Sequence, residues 1–270
     1  MDNSSTFNEY LDRWSLTPDG DAIISRGSRL LPVRQGGVSA MLKVAVEAEE
    51  KFGGLLMSWW AGRGAARVLA YEGPALLMKR AENDVLLADL SRNGGDDEAS
   101  RIICGAIAAL HSQKDRPPFD LIPLTKWFKD LAPAAIEHGG ILTACAAAAC
   151  ELLATPREAV VLHGDVHHEN ILDFGPRGWL AIDPKRLVGE RGFDYANLFC
   201  NPDAETAAVA GRLLRQVDVV VEAAGLERKR LLQWILAGAG LSAAWRLQDG
   251  ESPESELAVA ELTAAALARN

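Results

Sequence analysis

A chain of 270 residues with a net charge of −9, 49% hydrophobic and 24% charged residues, is long enough to bury a large core in two lobes. The acidic balance argues against a nucleic-acid backbone as partner and is compatible with a cationic small molecule. The N-terminal Met-Asp-Asn-Ser-Ser lacks the basic and apolar regions of a signal peptide, no apolar run reaches the ~18–20 residues of a membrane span, and Cys104, Cys145, Cys150 and Cys200 lack paired short spacing, so a reducing, cytoplasmic setting without an obligatory protein partner is expected.

In chain order, strands are expected at Ala22–Ser25, Arg29–Arg34, Ala40–Val46, Ala66–Ala70 and Ala75–Arg80, with a helix over Glu47–Trp60 inserted between the third and fourth. Gln35-Gly36-Gly37 reads as a hairpin turn that needs positive φ. Lys43 is a long cation on an apolar strand, where Leu42 and Val44 face the other way; buried there, it requires an anion and reads as meeting phosphates and pairing with a helix carboxylate, the alternative being an exposed lysine at a strand edge.

After a loop rich in Asn, Gly and Asp, the acidic start and apolar spacing of Asp96–Ser112 predict a helix. Pro117, Pro118 and Pro123 break the chain before helices at Leu124–Glu137 and Ile141–Ala154, the second Ala-rich and able to pack closely on the strand pair that follows. Helices at Ala204–Gly225 and Glu227–Arg246 carry Trp234 and Trp245 as packing residues, and a last Ala-rich helix closes the chain. The run Asp249–Glu256 reads as a solvated loop or helix start, or as an attraction for cations through Asp249 and Glu251.

The chemistry is concentrated between Val160 and Asp183. A β-branched run delivers His163, Gly164 and Asp165 into a polar loop ending at Asn170, and two short strands follow around Gly175-Pro176-Arg177-Gly178. An Asp with an Asn five positions on can accept a proton from an attacking hydroxyl while the amide oxygen holds a divalent metal, and Asp183, across the hairpin, can hold the metal too. One amide and one carboxylate, completed by nucleotide phosphates, suffice for Mg²⁺. Asp173-Phe174-Gly175 spells a kinase metal tripeptide but follows Asn170 too closely to leave room for a hairpin, so it is a strand end running into a turn. His163, His167 and His168 lie within six residues but lack the spacing that would put them on one face for zinc; His163 is expected to orient the loop, and His167 or His168 to line the acceptor cleft.

The words His163–Asn170 and Ile182-Asp183-Pro184 resemble the aminoglycoside phosphotransferase family. Gly178–Pro184, Gly192–Asn197 and Leu241–Trp245 are similar to its streptomycin 6-phosphotransferase branch, with the likeness running from about Trp14 onward. The resemblance implies an α+β, two-lobe protein-kinase-like fold, with a small antiparallel-sheet N-lobe over residues 1–81 and a larger, mainly helical C-lobe over 82–270. It implies ATP as donor, with GTP left open, Mg²⁺, and a cationic aminoglycoside acceptor, streptomycin at its 6-position.

In that frame Asp165 is the catalytic base, Asn170 and Asp183 hold metal, Lys43 steadies the phosphates, and Glu50 pairs with Lys43 in competition with Glu47 and Glu49. Gly27 and Ser28 touch nucleotide from the turn Ser25-Arg26-Gly27-Ser28, which departs from the glycine-rich loop of protein kinases. Met78 and Arg80 lie on Leu76–Ala81, the segment expected to cross between lobes and present its backbone to the adenine. Asp194 braces the catalytic loop, and His168, Asp249 and Glu251 are acceptor-binding candidates. The alternatives are a kinase of the same fold acting on hydroxyurea, a sugar or an amino alcohol, and a kinase-like binding protein without catalysis.

Overall fold

The computed structural model describes residues 5–25, 27–47, 52–83 and 85–269. It begins with helix α1 (Ser5–Arg13) and strands β1 (Leu16–Pro18), β2 (Ile23–Ile24), β3 (Ser28–Gln35) and β4 (Val38–Ala45). Helix α2 (Gly53–Trp60) precedes strands β5 (Val68–Glu72) and β6 (Ala75–Lys79). These strands form one antiparallel sheet in the order β1-β3-β4-β6-β5, with β2 on the side of β3. The β3–β4 hairpin closes through Gly36 (φ 55°) and Gly37 (φ 84°), the left-handed pair that matches strand twist in a two-residue turn.

Two elements here escaped the sequence pattern. Strand β1 is three residues long with only Leu16 buried, too short to show a period. Helix α1 has a polar composition, yet Phe7 and Tyr10, one turn apart, are buried against Val33, Leu42 and Leu77 of the sheet. Helix α2 starts at Gly53, whereas a start at Glu47 was expected; Glu47 is exposed and not helical. Its opening glycines allow contact that side chains would block, since a Cβ on Gly54 would overlap the Tyr71 ring and one on Gly53 would stand 3.0 Å from the Pro184 carbonyl oxygen.

The second lobe contains α3 (Leu87–Leu90), α4 (Asp96–His111), β7 (Ile122–Pro123), α5 (Leu124–Trp127), α6 (Leu131–His138), α7 (Ile141–Ala154), β8 (Ala159–Leu162), β9 (Ile171–Asp173), β10 (Trp179–Ala181) and β11 (Leu187–Glu190). A 3₁₀ helix over Arg191–Cys200 then leads to α8 (Ala204–Ala207), α9 (Arg212–Ala224), α10 (Arg228–Gln248) and α11 (Glu254–Leu267). Pro133, which has no N–H for the helical ladder, divides the expected Leu124–Glu137 helix into α5, a 3₁₀ turn and α6. Gly211, at φ 78°, divides the expected Ala204–Gly225 helix into α8 and α9.

Ala-rich α7 matches the expected bounds, but its main partner is α10 and not the hairpin. The contact is close because Gly240 of α10 faces Cys145 of α7 with no room for a Cβ. Among the described residues no helix is long and apolar enough to cross a membrane.

Strands β9 and β10 pair as an antiparallel hairpin, and β8 lies in a three-stranded sheet in the order β7-β11-β8. The hairpin is stitched under the first lobe: Ala66 N–H donates to Ala181 O (2.9 Å), Ala181 N–H to Gly64 O (2.8 Å), and Glu82 N–H to Asp173 O (2.9 Å). Both ends of the hairpin therefore open at the seam between the lobes.

Candidate active site

Strand β8 ends at Leu162 and releases the loop His163–Asn170, which is held from three sides. From the hairpin side, His163 Nε2 donates to Ile182 O (2.8 Å) while its Nδ1 accepts from Asp165 N–H (3.2 Å), so Nε2 carries the proton. Burial lowers the His163 pKa against the pull of Asp194, Asp165 and Asp183. Within the loop, the Asn170 amide nitrogen donates to Asp165 O (2.8 Å), which leaves the amide oxygen for another partner.

From behind, the buried Asp194 carboxylate accepts Gly164 N–H (2.7 Å) on Oδ1 and His163 N–H (3.0 Å) on Oδ2. The ring of His111 at the end of α4 donates to Oδ2 as well (2.7 Å). Three residues further along the same 3₁₀ helix, Asn197 donates its amide to Asp165 Oδ1 (3.0 Å). With three residues per turn, Asp194 and Asn197 share one face, one gripping the loop backbone and the other its carboxylate. Asp194 lies inside that helix and does not cap it.

Asp183 follows β10 in the left-handed region, at φ 63°, and its neighbour Ile182 donates N–H to Asn170 O (2.9 Å), so the Asn170 and Asp183 backbones run side by side. The Asp183 carboxylate is ion-paired with Lys43, which is only 6% exposed on β4. The expected partner Glu50 falls outside the described residues, as does Glu49. Lys43, Asp183, Met57, Leu76 and Met78 line one narrow pocket. Asp173, by contrast, accepts Gly175 N–H (2.8 Å) and the Asn83 amide (2.7 Å), in keeping with a strand end turning under the interlobe segment.

Two larger cavities meet at Asp165. One of about 610 Å³ lies between the lobes and is lined by Gly27, Glu47, Lys126, Lys129, Asp130, Gly164, Asp165, Lys185, Trp245 and Asp249, among others. The other, of about 440 Å³, is lined by Asp165, His167, Asn197, Asp203, Trp245, Arg246, Asp249 and Glu256, which sets four carboxylates against one guanidinium. Asp203 stays ionised far into acid, its pKa lowered to about 2 by the Thr206 N–H and then by Arg92. Glu256 is neutralised by Arg246 (2.6 Å).

Several expected contacts are corrected by these positions. His168 is 1% exposed and turned into the interior, so it lines no acceptor surface; its neighbour His167 does. Ser28 is buried at the start of β3, where it exchanges bonds with Ser25, and among the described residues of that turn only Gly27 faces the interlobe cavity. Met78 lies inside β6 between Met41 and Val68, so its backbone belongs to the sheet and it meets the Lys43 pocket by its side chain. Arg80 is tied to Asp19 (2.7 Å). Glu251 is bound to Arg246 (3.2 Å), whereas Asp249 lines both cavities. Trp245, expected as packing, does pack edge-on against Trp127 and against the core, and it also stands on the wall of both cavities; Trp234 is buried and donates to Glu190 (2.9 Å).

Residues 13–250 match the family model described as aminoglycoside/hydroxyurea antibiotic resistance kinase. The chain belongs to that family. This kinase is 50% identical over 264 residues to a streptomycin 3''-kinase from Klebsiella pneumoniae, covering 96% of this chain and 98% of the relative. It is 33% identical over 270 residues to a streptomycin 6-kinase from Streptomyces griseus, covering 94% and 87%. Among solved structures, an aminoglycoside phosphotransferase from Streptomyces rimosus in complex with ADP and streptomycin superposes with a TM-score of 0.60 at 18% identity, over 90% of this chain and 98% of that one. The antibiotic kinase thus has the two-lobe protein-kinase-like α+β fold.

Proposed function

We propose that this aminoglycoside kinase transfers the terminal phosphoryl group of ATP to a hydroxyl of streptomycin. The observation that carries the reading is the position of Asp165 where two cavities meet, one between the lobes that sets Lys126, Lys129 and Lys185 beside Glu47, Asp130 and Asp249, the other holding Asp203, Asp249 and Glu256 beside Arg246. The lysines of the first offer contacts to phosphate oxygens, and the carboxylates of the second offer contacts to a guanidinium-bearing acceptor. Residues 1–81 would then cover the nucleotide and 82–270 carry the chemistry.

Asp165, oriented by Asn197, accepts the proton of the attacking hydroxyl while Lys43 steadies the nucleotide phosphates. Asn170 and Asp183 would hold Mg²⁺: both offer oxygen, and the Asn170 amide nitrogen is already committed to Asp165 O. The metal, when bound, neutralises phosphate charge. Proximity and charge complementarity supply most of the acceleration for a transferring group that is loosely bonded in the transition state.

Of the two hydroxyls that relatives' names point to, the 3'' position is our proposal over the 6 position suggested by the sequence words, because the 3''-kinase relative is 50% identical and the 6-kinase 33%. Incubation with ATP, Mg²⁺ and a panel of streptomycin, hydroxyurea and simple amino alcohols, with ADP release as readout and NMR mapping of the product, tests it. Streptomycin 3''-phosphate is the expected product. Phosphate at position 6 would correct the regiochemistry, turnover of hydroxyurea alone would replace the acceptor, and nucleotide binding without ADP formation would leave a binding protein.

A further inference from the structure

The phosphoryl group in transit carries its charge on three equatorial oxygens, and a cation beside the attacking oxygen is worth a large share of the acceleration. The loop His163–Asn170 contains no Lys or Arg. Lys43 is ion-paired with Asp183. Lys185 answers to that position: its Nζ is 3.8 Å from Asp165 Oδ2, at ion-pair distance on the oxygen that Asn197 does not hold, and it lines the interlobe cavity together with Gly27 and Gly164.

The backbone is bent to put it there. Asp183 (φ 63°) and Arg186 (φ 57°) are both left-handed non-glycine residues flanking Pro184-Lys185, a costly arrangement that persists where the surroundings enforce it. Lys185 N–H donates to His163 O (2.7 Å), and a Cβ on Gly164 would come within 3.3 Å of the Lys185 Cβ, so the lysine stem is pressed against the loop. Arg186 leaves in another direction, its guanidinium 4.1 Å from the centre of the Phe52 ring at the head of α2.

We propose that Lys185 is a catalytic residue that contacts the transferring phosphoryl group through its ammonium, an inference resting on the phosphotransferase reading above. As the acceptor oxygen forms its bond to phosphorus, the bond from phosphorus to the leaving diphosphate breaks and the hydroxyl proton passes to Asp165. Lys185 keeps its protons throughout and balances the charge on the phosphoryl oxygens.

The test compares wild type, Lys185→Met, Lys185→Arg and Asp165→Asn in full-length protein, by steady-state kinetics with streptomycin and by affinity for a fluorescent ADP analogue. Lys185→Met is expected to lower kcat about 100-fold or more, with the streptomycin KM and the nucleotide Kd within about threefold, and Lys185→Arg to recover at least about tenfold of the loss. A Lys185→Met kcat within about threefold of wild type, a loss confined to KM, or equal loss in the Met and Arg variants would overturn it. Should the Met variant not fold, as judged by its melting curve, Lys185→Gln takes its place under the same criteria. A wild type that phosphorylates no acceptor defeats the function reading and this inference together, whereas an active wild type with an undiminished Lys185→Met variant defeats this inference alone.

Discussion

Asp173 and Asp183 carry the same carboxylate but have different surroundings, and the difference assigns them different fates on mutation. Asp183→Ala is expected to abolish turnover at any Mg²⁺ concentration, because the carboxylate that pairs with Lys43 and neighbours Asn170 is lost. Asp173→Asn, at a residue occupied by Gly175 and Asn83, should retain most activity. The reverse ranking in an ADP-release assay would reassign the metal site. His168 is the other residue whose setting decides its behaviour. Burial first, and Arg212 next, lower its pKa from 6.5 to about 4, and neither ring nitrogen has a hydrogen-bond partner. Between those values the unfolded chain binds a proton that the folded one excludes. The contribution is therefore intact above pH 6.5 and is lost as pH falls toward 4, by up to about 3 kcal/mol. His168→Leu should flatten that part of the acid-unfolding profile and change the pH 7.5 melting temperature by less than about 3 °C, since no hydrogen bond is removed. His163, lowered in the same direction, would account for any slope that persists.

At the level of elements, two close fits hold the loop and its platform. The 3₁₀ helix Arg191–Cys200 brings Asp194 and Asn197 to one face, so Asn197→Ala should free the Asp165 carboxylate and lower kcat by about tenfold or more, with nucleotide affinity unchanged by fluorescence titration. Helix α10 approaches α7 at Gly240, where any Cβ overlaps Cys145. Gly240→Ala is expected to cost about 1–3 kcal/mol in a denaturant titration, overpacking outweighing the gain in helix propensity. Glu190 shows how a strand, a helix and a helix end that already share the apolar core are also joined by a buried polar group. Burial alone would raise its pKa, but bonds from Arg230 (2.6 Å), Trp234 (2.9 Å) and Arg157 N–H (2.9 Å) hold it below the usual carboxylate range.

For the whole molecule the governing feature is the meeting of two charged cavities at Asp165. The chain carries −9 overall; the interlobe cavity sets Lys126, Lys129 and Lys185 beside Glu47, Asp130 and Asp249, while the neighbouring one holds Asp203, Asp249 and Glu256 beside Arg246. Raising ionic strength from ~0.05 to ~0.5 M should lower kcat/KM for streptomycin several-fold as the acidic wall is screened, and Asp249→Asn should weaken that salt dependence. The lobes meet through Lys43 and Asp183 and through the strand-like bonds of residues 64–66 and 82 to the hairpin, so both cavities depend on the two lobes keeping their seam.

The candidate site was legible as a grouping wherever proposed chemistry and local spacing coincide: Asp165, Asn170 and Asp183 lie within one strand–loop–hairpin unit, so their order along the chain already constrains their separation. The β3–β4 turn was legible for the same local reason, since Gly36-Gly37 alone dictates its backbone. Contacts made across the fold had no such signal. Asn197 and Lys185 reach Asp165 from a 3₁₀ helix and from a left-handed bend, and neither a helical period of 3.6 nor alternation describes those conformations. His168 looked like its neighbour His167, and only the tertiary fold buried one ring and left the other at the cavity. Sequence by itself determined which groups could do phosphoryl chemistry and which local units carry them. Tertiary structure decided which of them share a wall, because burial and left-handed backbone depend on residues distant in the chain.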